Sequence, residues 1–195
     1  MIRLRDIPLP PEHNAHQLQF EAAQLLKLSN SKIRQVKIVR RSVDARKKPD
    51  VRIIYTVDVA VDGNEKKIMR ASGCKRAAIA PVSYYKAPKN IPMQGKRPVV
   101  VGFGPAGIFC GLMLARSGFR PIVLERGKIG EERKKDVDEF FGGGKFNENS
   151  NIQFGEGGAG AFSDGKLKVG AMDKYKMKVL SEFVAAGADE DILYS

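Results

Sequence analysis

Three glycines with the spacing Gly102-x-Gly104-x-x-Gly107, followed by a single acid, are the residues of this sequence best suited to holding a ligand. Glycines at this spacing allow a tight turn, a close approach of the backbone to a diphosphate, and close packing of a helix on a strand. Glu125 lies 23 positions after Gly102, close to the spacing of an acid that accepts hydrogen bonds from ribose hydroxyls. A carboxylate there also repels a 2′-phosphate, so the pattern disfavours NADP at this site.

The residues around the glycines predict the elements that would position them. Val99 to Val101 is a short apolar run typical of a buried parallel strand, and Pro105 suits the first turn of a helix that ends at about Ser117. A second apolar strand, Pro121 to Leu124, leads directly into the acid. The pattern predicts a β-α-β unit whose turn binds a pyrophosphate through free N–H groups and the helix dipole. The residues of this turn are Gly102, Phe103, Gly104, Pro105, Ala106 and Gly107.

A second glycine-rich region follows the β-α-β unit. Residues 142–144 are all glycine, and residues 155–160 contain four more. A backbone with so few side chains can approach a ligand closely and offer N–H groups to it. Flexible glycine linkers lack aromatic residues, whereas this region contains several large apolar side chains. They are Phe140, Phe141, Phe146, Ile152, Phe154 and Phe162. We therefore expect an ordered loop over the ligand.

Two arginines near this region are further candidates for ligand binding. Arg126 follows the acid directly, and Arg133 lies on a polar helix predicted over Lys128 to Glu139. The charges of this helix lie at distances where they can pair with one another in solvent. Alternatively, Arg126 or Arg133 turns inward to a phosphate or a ribose of the ligand. The sequence leaves both interpretations open.

The N-terminal half carries almost all of the net charge of +12. Residues 1–95 hold 19 basic and 8 acidic residues, whereas residues 96–195 hold 15 and 14. Residues 1–79 predict a small basic α+β domain with the order β-α-β-β-β. In it, Val51 to Val61 alternate as a strand, and Asp62-Gly63 turns into a last strand at about Lys66 to Arg70. Residues 80–97, rich in proline and lysine, predict a linker, and residues 98–195 predict the nucleotide-binding domain.

The excess of positive charge raises the question of an anionic partner. Its densest part is Arg40 to Lys48, which the pattern places in a loop between the second and third strands. No aromatic residue interleaves with these basic residues, as a platform for single-stranded nucleic acid would need. A solvated loop is therefore the favoured interpretation, and nucleic-acid binding is kept as the alternative.

Several other classes of protein are disfavoured. Cys74 and Cys110 are too few and too far apart for a disulfide framework or a metal site. The run from Val99 to Ala115 approaches the length of a membrane span, but four glycines and a proline interrupt it. The N-terminus carries Asp6 and several prolines where a signal peptide needs an apolar core. We therefore expect a cytoplasmic protein with no metal ion and no membrane contact.

Two long runs carry a resemblance to known flavoproteins. VVVGFGPAGIFCGLMLARSGFRPIVLERG resembles the N-terminal FAD-binding motif of the glutathione-reductase-like superfamily. SNIQFGEGGAGAFSDGKL, together with RRSVDARKK, is similar to the narrower family of bacterial FAD-dependent (NAD(FAD)-utilizing) dehydrogenases. The resemblance covers essentially all of the chain. It implies that Gly102, Gly104, Gly107 and Glu125 meet the ADP half of FAD, and that Gly157, Gly158, Ala159 and Gly160 lie near the pyrophosphate or the flavin.

The resemblance also implies a fold and a function. The fold is the first part of a Rossmann-like α/β domain, namely the first β-α-β unit and the glycine-rich loop. Members of the family are considerably longer and continue into a substrate region, so we expect this chain to be a fragment. Residues 111–195 contain no cysteine, so the redox thiol pair of related reductases has no counterpart in this stretch.

The function that we expect is that of an FAD-dependent oxidoreductase acting on a small-molecule substrate, with NAD(P)H as a candidate electron donor. The substrate, the catalytic residues and the oligomeric state are not determined by the sequence. Two alternatives stay open. One is a nucleic-acid-binding or RNA-modifying flavoprotein, and the other is an NAD-binding Rossmann protein without flavin.

Overall fold

The computed structural model describes residues 1–81, 85–86, 95–163 and 174–194. The chain divides into two compact units, Met1–Tyr84 together with Asp173–Ser195, and Tyr85–Met172. The sequence predicts residues 98–195 as one domain, whereas the C-terminal residues group with the N-terminal unit. Arg41 joins these C-terminal residues to the N-terminal unit. Its N–H donates to the carbonyl oxygen of Tyr194 at 2.7 Å, and its guanidinium pairs with Asp191.

The first unit is built on an antiparallel sheet. Its elements are β1 (Ile2–Leu9), α1 (Ala15–Leu26), β2 (Ile33–Asp44), β3 (Arg52–Val61), α2 (Glu65–Ser72) and β4 (Ala77–Ile79). In the described residues the strands lie in the order β2-β3-β1-β4, and each neighbouring pair is antiparallel. A β-α-β-β-α-β chain with this strand order is the split β-α-β topology of ferredoxin-like folds.

The alternation of apolar and polar side chains along the strands decides which face of this sheet is buried. The side chains that pack into the core come mainly from β1, β3 and the apolar side of α1, and they include Ile2, Leu4, Ile7, Leu18, Ala22, Leu26, Val57 and Val59. The start of α1 is fixed by a capping box, as the spacing of Asn14 and Gln17 predicts. Asn14 Oδ1 accepts from the N–H of Gln17 at 3.0 Å, and Gln17 Oε1 accepts from the N–H of Asn14 at 2.8 Å.

The predicted β-α-β-β-β order is wrong in its last part. Residues Lys66 to Arg70 belong to the helix α2, not to a strand. Asn64 caps this helix, since its Oδ1 accepts from the N–H of Lys67 at 3.0 Å, and Gly73 ends it in the left-handed conformation. Lysine, methionine and arginine favour a helix over a strand, so the turn at Asp62-Gly63 leads into a cap. The fourth strand is β4, which pairs with β1.

The basic run is also placed differently from its prediction. The strand β2 continues to Asp44, so Arg40 to Asp44 lie in the sheet and not in a loop. In the register of this hairpin Arg41 lies opposite Tyr55, and Val43 lies opposite Ile53. Cross-strand pairs with aromatic and β-branched partners stabilise the ladder, and they extend it beyond the point where charge alone suggests a loop.

The second unit contains the predicted β-α-β unit. Its elements are β5 (Val99–Val101), α3 (Pro105–Arg116), β6 (Ile122–Leu124) and α4 (Gly130–Phe141). The strands β5 and β6 are parallel, with Val100 opposite Val123. In the part of the chain that the structure describes, the protein is thus mixed α/β, with an antiparallel sheet in one unit and a two-stranded parallel sheet in the other.

The parallel strands present much apolar surface. Val99, Val101 and Leu124 are each more than half exposed, and Val101 is 83% exposed. Only Val100 of β5 is buried. The last helix, α5 (Lys174–Ala185), belongs to the first unit. None of the helices within the described ranges has the length and apolarity needed to cross a bilayer.

Replacing the cap of α2 tests the corrected assignment. We expect Asn64→Ala to lower the free energy of unfolding of the first unit by about 1 kcal/mol, because an N–H of the first turn loses its acceptor. Urea unfolding followed by the amide signals of β3 measures this loss. The control is Asn30→Ala, which replaces another exposed asparagine. An equal effect of the two substitutions would contradict the capped helix.

Candidate functional site

The glycine turn joins β5 to α3 and is tied to the neighbouring strand. Gly102 has φ of 95°, and its N–H donates to the carbonyl oxygen of Leu124 at 2.7 Å. Gly104 is the N-cap of α3 in an extended conformation, and Pro105 occupies the first turn. No side chain caps this helix in the described structure. The first N–H groups of a helix have no acceptor within it, so those of Ala106 and Gly107 are suited to binding an anion.

Gly107 sets the distance between helix and strand. A Cβ added at this position would lie 1.9 Å from the carbonyl oxygen of Gly102 and 2.9 Å from its carbonyl carbon. No side chain fits there unless the turn itself moves. One helical turn later, a Cβ at Gly111 would lie 3.4 Å from Val123, an ordinary contact. The third glycine of the fingerprint is therefore required by the fold, independently of any ligand.

Glu125 lies at the glycine turn, where the sequence places it. Its Oε2 accepts from the N–H of Phe103 at 2.6 Å, and its Oε1 accepts from the N–H of Gly127 at 2.8 Å. These backbone N–H groups, with that of Gly127 contributing most, lower the pKa of the carboxyl group. The acid thus fastens the turn to the end of β6. The backbone N–H groups of Arg126 and Gly155 also lower this pKa, so main-chain donors from β6 and from the second glycine cluster meet at the carboxylate.

The second glycine cluster packs against the first. The N–H of Gly157 donates to the carbonyl oxygen of Phe103 at 2.9 Å. A Cβ at Gly104 would lie 3.8 Å from the Cα of Gly158, and a Cβ at Gly158 would lie 3.1 Å from Pro105 Cδ. Gly157 and Gly158 both have positive φ, at 82° and 64°. The structure therefore brings together two glycine segments that are about 50 residues apart in the sequence, as the predicted loop over the turn requires.

Ala159 and Gly160 start a short 3-10 turn that ends at Phe162. Both residues are exposed, and a Cβ at Gly160 would meet nothing within 4 Å. They follow Gly158, which contacts the glycine turn. Their backbone is therefore open to solvent at the edge of the candidate site.

Arg133 is completely buried, and it lies against the loop from Asn151 to Gly158, the glycine loop. Its guanidinium donates four hydrogen bonds of 2.7 to 2.9 Å to main-chain carbonyl oxygens. The acceptors are Asn151, Ile152, Glu156 and Gly158. Burial lowers the pKa of the guanidinium, and the negative charge of Glu125 opposes this change. The sequence left open whether Arg133 faces solvent or a phosphate or ribose of the ligand. In the structure its side chain points inward to the loop itself.

Arg126 lies on the outer side of the same region. Its guanidinium stacks on the ring of Phe154, with 3.6 Å from Cζ to the ring centroid, and it donates to the carbonyl oxygen of Glu148 at 3.4 Å. The residue is exposed. Stacking of this kind holds the arginine against the glycine loop.

Two glycines of structural importance were missed by the sequence analysis. A Cβ at Gly155 would lie 2.4 Å from Arg133 Cδ, and a Cβ at Gly127 would lie 2.5 Å from the Cα of Gly155. The three residues meet where the loop passes the end of β6. Both carried a signal in the sequence, because Gly155 belongs to the glycine-rich residues 155–160 and Gly127 follows the acid directly in the run Glu125-Arg126-Gly127.

Some of the basic residues of the first unit are paired with acids. Within the described residues, five arginines of this unit form ion pairs with aspartates: Arg3 with Asp58, Arg34 with Asp62, Arg41 with Asp191, Arg46 with Asp44, and Arg52 with Asp50. The pairing with Arg46 lowers the pKa of Asp44 to about 2. A cavity of about 380 Å³ beside β2 is lined by Arg40, Ser42 and Thr56 together with Asp6 and Asp44. No aromatic side chain lines it, so it offers no stacking surface to a nucleic-acid base.

No group of three or more metal-ligating side chains occurs within the ranges that the structure describes. Both cysteines are free, with Cys110 exposed and Cys74 partly buried. Part of the run that carried the narrower resemblance, residues 164–167, lies outside the described residues.

Comparisons with known proteins give a relative and a domain of unknown function. Residues 1–60 match the model of a domain described as "Domain of unknown function (DUF8436)". The chain is also 41% identical, over 194 residues, to a protein of Clostridium beijerinckii that is described as "Uncharacterized protein". This match covers 99% of the chain but 36% of the relative. The chain thus spans about a third of the length of the relative that it matches.

Filling the contact between Gly107 and Gly102 should disrupt the second unit. We expect Gly107→Ala to lower the free energy of unfolding of α3 and β5 by about 3 kcal/mol, because the added methyl group overlaps a carbonyl oxygen. Urea unfolding followed by the amide signals of α3 measures the change. The matched control is Gly111→Ala on the same helix, which we expect to stay within about 1 kcal/mol of the wild type. Equal stability of the two variants would contradict the close packing described.

The ionisation of Glu125 should stabilise the second unit in a pH-dependent way. Its folded pKa lies below the unfolded value of about 4.3, so the carboxylate stabilises the fold above that pH. This stabilisation is lost as the pH falls through the folded pKa. We expect the free energy of unfolding to fall more steeply between about pH 5 and pH 3 in the wild type than in Glu125→Gln. Urea unfolding at a series of pH values measures both slopes, and identical slopes would contradict the role of Glu125.

Proposed function

We propose that this chain is the N-terminal, nucleotide-binding part of an FAD-dependent oxidoreductase related to the bacterial NAD(FAD)-utilizing dehydrogenases that its sequence resembles. The ADP half of FAD would lie across the glycine turn, with its pyrophosphate at the N-terminus of α3. The fold in this proposal is the first part of a Rossmann-like FAD-binding domain. Because the chain spans 36% of its Clostridium relative, the activity of the whole protein is part of the proposal.

One observation supports this proposal above the others. Glu125 and Gly157 bind the main chain of Phe103 from two sides, at its N–H and at its carbonyl oxygen. This arrangement places the acid, the glycine turn and the second glycine cluster at one point. A turn that served only to reverse the chain would need neither the uncapped helix N-terminus nor a second glycine segment across it.

The residues of the turn fit the bound group in shape. Gly104 and Gly158 face one another without side chains, and a methyl group on Gly104 would meet only the Cα of Gly158, at 3.8 Å. The space that a methyl group would occupy is therefore available to a phosphate that approaches the backbone. Ala106 and Gly107 would donate N–H groups to it, and Glu125 would accept from ribose hydroxyls.

When bound, the flavin would supply the hydride-transfer chemistry. The residues described here would bind and orient its nucleotide end. The reaction partners in this proposal are a small-molecule substrate and NAD(P)H as the electron donor. No aromatic side chain among the described residues lines the cavity beside β2, which favours this proposal over the nucleic-acid-binding alternative.

Binding of ADP to the chain tests the turn. We expect ADP to shift the amide NMR signals of residues 102–107 and 155–160, with a dissociation constant on the order of 1 mM, since only part of a flavin site is present. Gly104→Ala should weaken this binding by about tenfold without a loss of stability, because its methyl group fits sterically but occupies the space of the phosphate. The control Ser117→Ala, at the other end of α3, should bind like the wild type. No shift at these residues with ADP would refute the nucleotide site.

The flavin itself is tested on the longer relative. We expect the full-length Clostridium beijerinckii protein to purify yellow and to release FAD on denaturation. Release of NAD instead of flavin would favour the alternative of an NAD-binding Rossmann protein. A colourless protein that releases no nucleotide would refute the flavoprotein assignment.

A further inference from the structure

Arg133 is a buried cation whose hydrogen-bond acceptors are neutral. In the described structure its four acceptors are main-chain carbonyl oxygens of the glycine loop. The ring of Phe162 covers the guanidinium, with 4.8 Å from Cζ to the ring centroid. The side chain has no exposed surface. Carbonyl groups satisfy its N–H donors, but they do not cancel its charge.

The glycine loop takes its shape from this side chain. Two of the acceptors, Asn151 and Ile152, lie at the start of the loop, and the other two, Glu156 and Gly158, lie at its end. Between them the backbone passes so close to the arginine that a Cβ on Gly155 would lie 2.4 Å from Arg133 Cδ. The guanidinium therefore holds both ends of the loop at fixed positions. One of its acceptors, Gly158, is also the residue that packs against Gly104 and Pro105.

Burying a charge without an ion pair is costly, so the placement of Arg133 needs a compensating interaction. Within the site, the negative charge of Glu125 raises the pKa of Arg133 and so opposes the effect of burial. Glu125 is itself held by backbone N–H groups, which stabilise its charge independently of the arginine. An anionic ligand between the glycine loop and α3 would supply the remaining compensation.

We infer that Arg133 is a positioning residue that fixes the glycine loop and makes the site selective for a ligand bearing a diphosphate. The inference rests on the proposed function, because the diphosphate in question is that of the nucleotide on the glycine turn. Arg133 would act through the loop, without touching the ligand. The planar fork of the guanidinium is needed to fix the glycine loop. Its positive charge is needed to make the site selective for a diphosphate.

Two substitutions separate these parts. Arg133→Lys keeps the charge but loses the fork, and Arg133→Gln loses both. Amide hydrogen exchange of residues 151–158 reports the conformation of the loop, and the ratio of the affinities for ADP and adenosine reports selectivity for phosphate. We expect exchange to become about tenfold faster in both variants. We expect the preference for ADP over adenosine to fall by about tenfold in Arg133→Gln and to stay within about threefold in Arg133→Lys.

The control is Lys134→Gln, which removes an exposed positive charge from the next position of the same helix. It should change neither the exchange nor the preference. Unchanged exchange in Arg133→Lys would overturn the positioning role, and this test stands even if Arg133→Gln does not fold. An equal preference for ADP in the lysine and glutamine variants would overturn the role of the charge. If the wild type binds ADP no better than adenosine, the diphosphate part of the inference is overturned, and absence of binding by both ligands would refute the proposed function instead.

Discussion

The second unit depends on how its main chain is held at Phe103. This residue lies between two glycines and outside the pairing of β5 with β6, yet its N–H and its carbonyl oxygen both form hydrogen bonds. Its N–H donates to the carboxylate of Glu125, and its carbonyl oxygen accepts from the N–H of Gly157. The same two hydrogen bonds join the end of β6 and the second glycine cluster to the turn. Because an unpaired buried peptide group is costly, these partners constrain the turn strongly.

Side-chain volume is excluded from this region at several positions, and each exclusion has a different cause. Gly107 lacks a side chain because the carbonyl oxygen of Gly102 occupies the position of its Cβ. Gly155 lacks one because Arg133 passes there. Gly104 differs from both, since a methyl group would fit there without a clash. The fold itself does not require a glycine at position 104, so a ligand that approaches the backbone is the best explanation for it. This supports the nucleotide proposal.

The two units use charge in opposite ways. In the first unit, five arginines pair with aspartates, mostly at or near the surface, where such pairs contribute little to stability. The pair of Arg3 with Asp58 is the most shielded, with two hydrogen bonds of 2.7 and 2.8 Å across neighbouring strands. In the second unit, Arg133 is buried among carbonyl groups and keeps its charge. These pairs do not remove the excess of basic residues in the N-terminal half, because the net charge already counts the aspartates that form them.

Local patterns in the sequence were sufficient to predict many elements. The alternation of Val51 to Val61, the capping box at Asn14 and the β-α-β unit from Val99 to Leu124 are each confirmed, because each depends on residues close together in the chain. The assignment of Lys66 to Arg70 failed since a turn at Asp62-Gly63 is compatible with either a hairpin or a helix cap. The helical preference of the residues that follow decided between them.

Tertiary structure alone decided what the candidate site is made of. Glycine spacing and the position of Glu125 identified the turn, but the sequence could not show that Gly158 packs against Gly104, more than 50 residues away. It also could not show that Arg133 faces the carbonyl groups of the loop, because a polar helix pattern does not reveal which charged residue is buried. Likewise, the pairing of Arg41 with Asp191 joins residues 150 positions apart. The sequence determines local geometry through backbone preferences, whereas contacts between distant segments depend on how the elements pack.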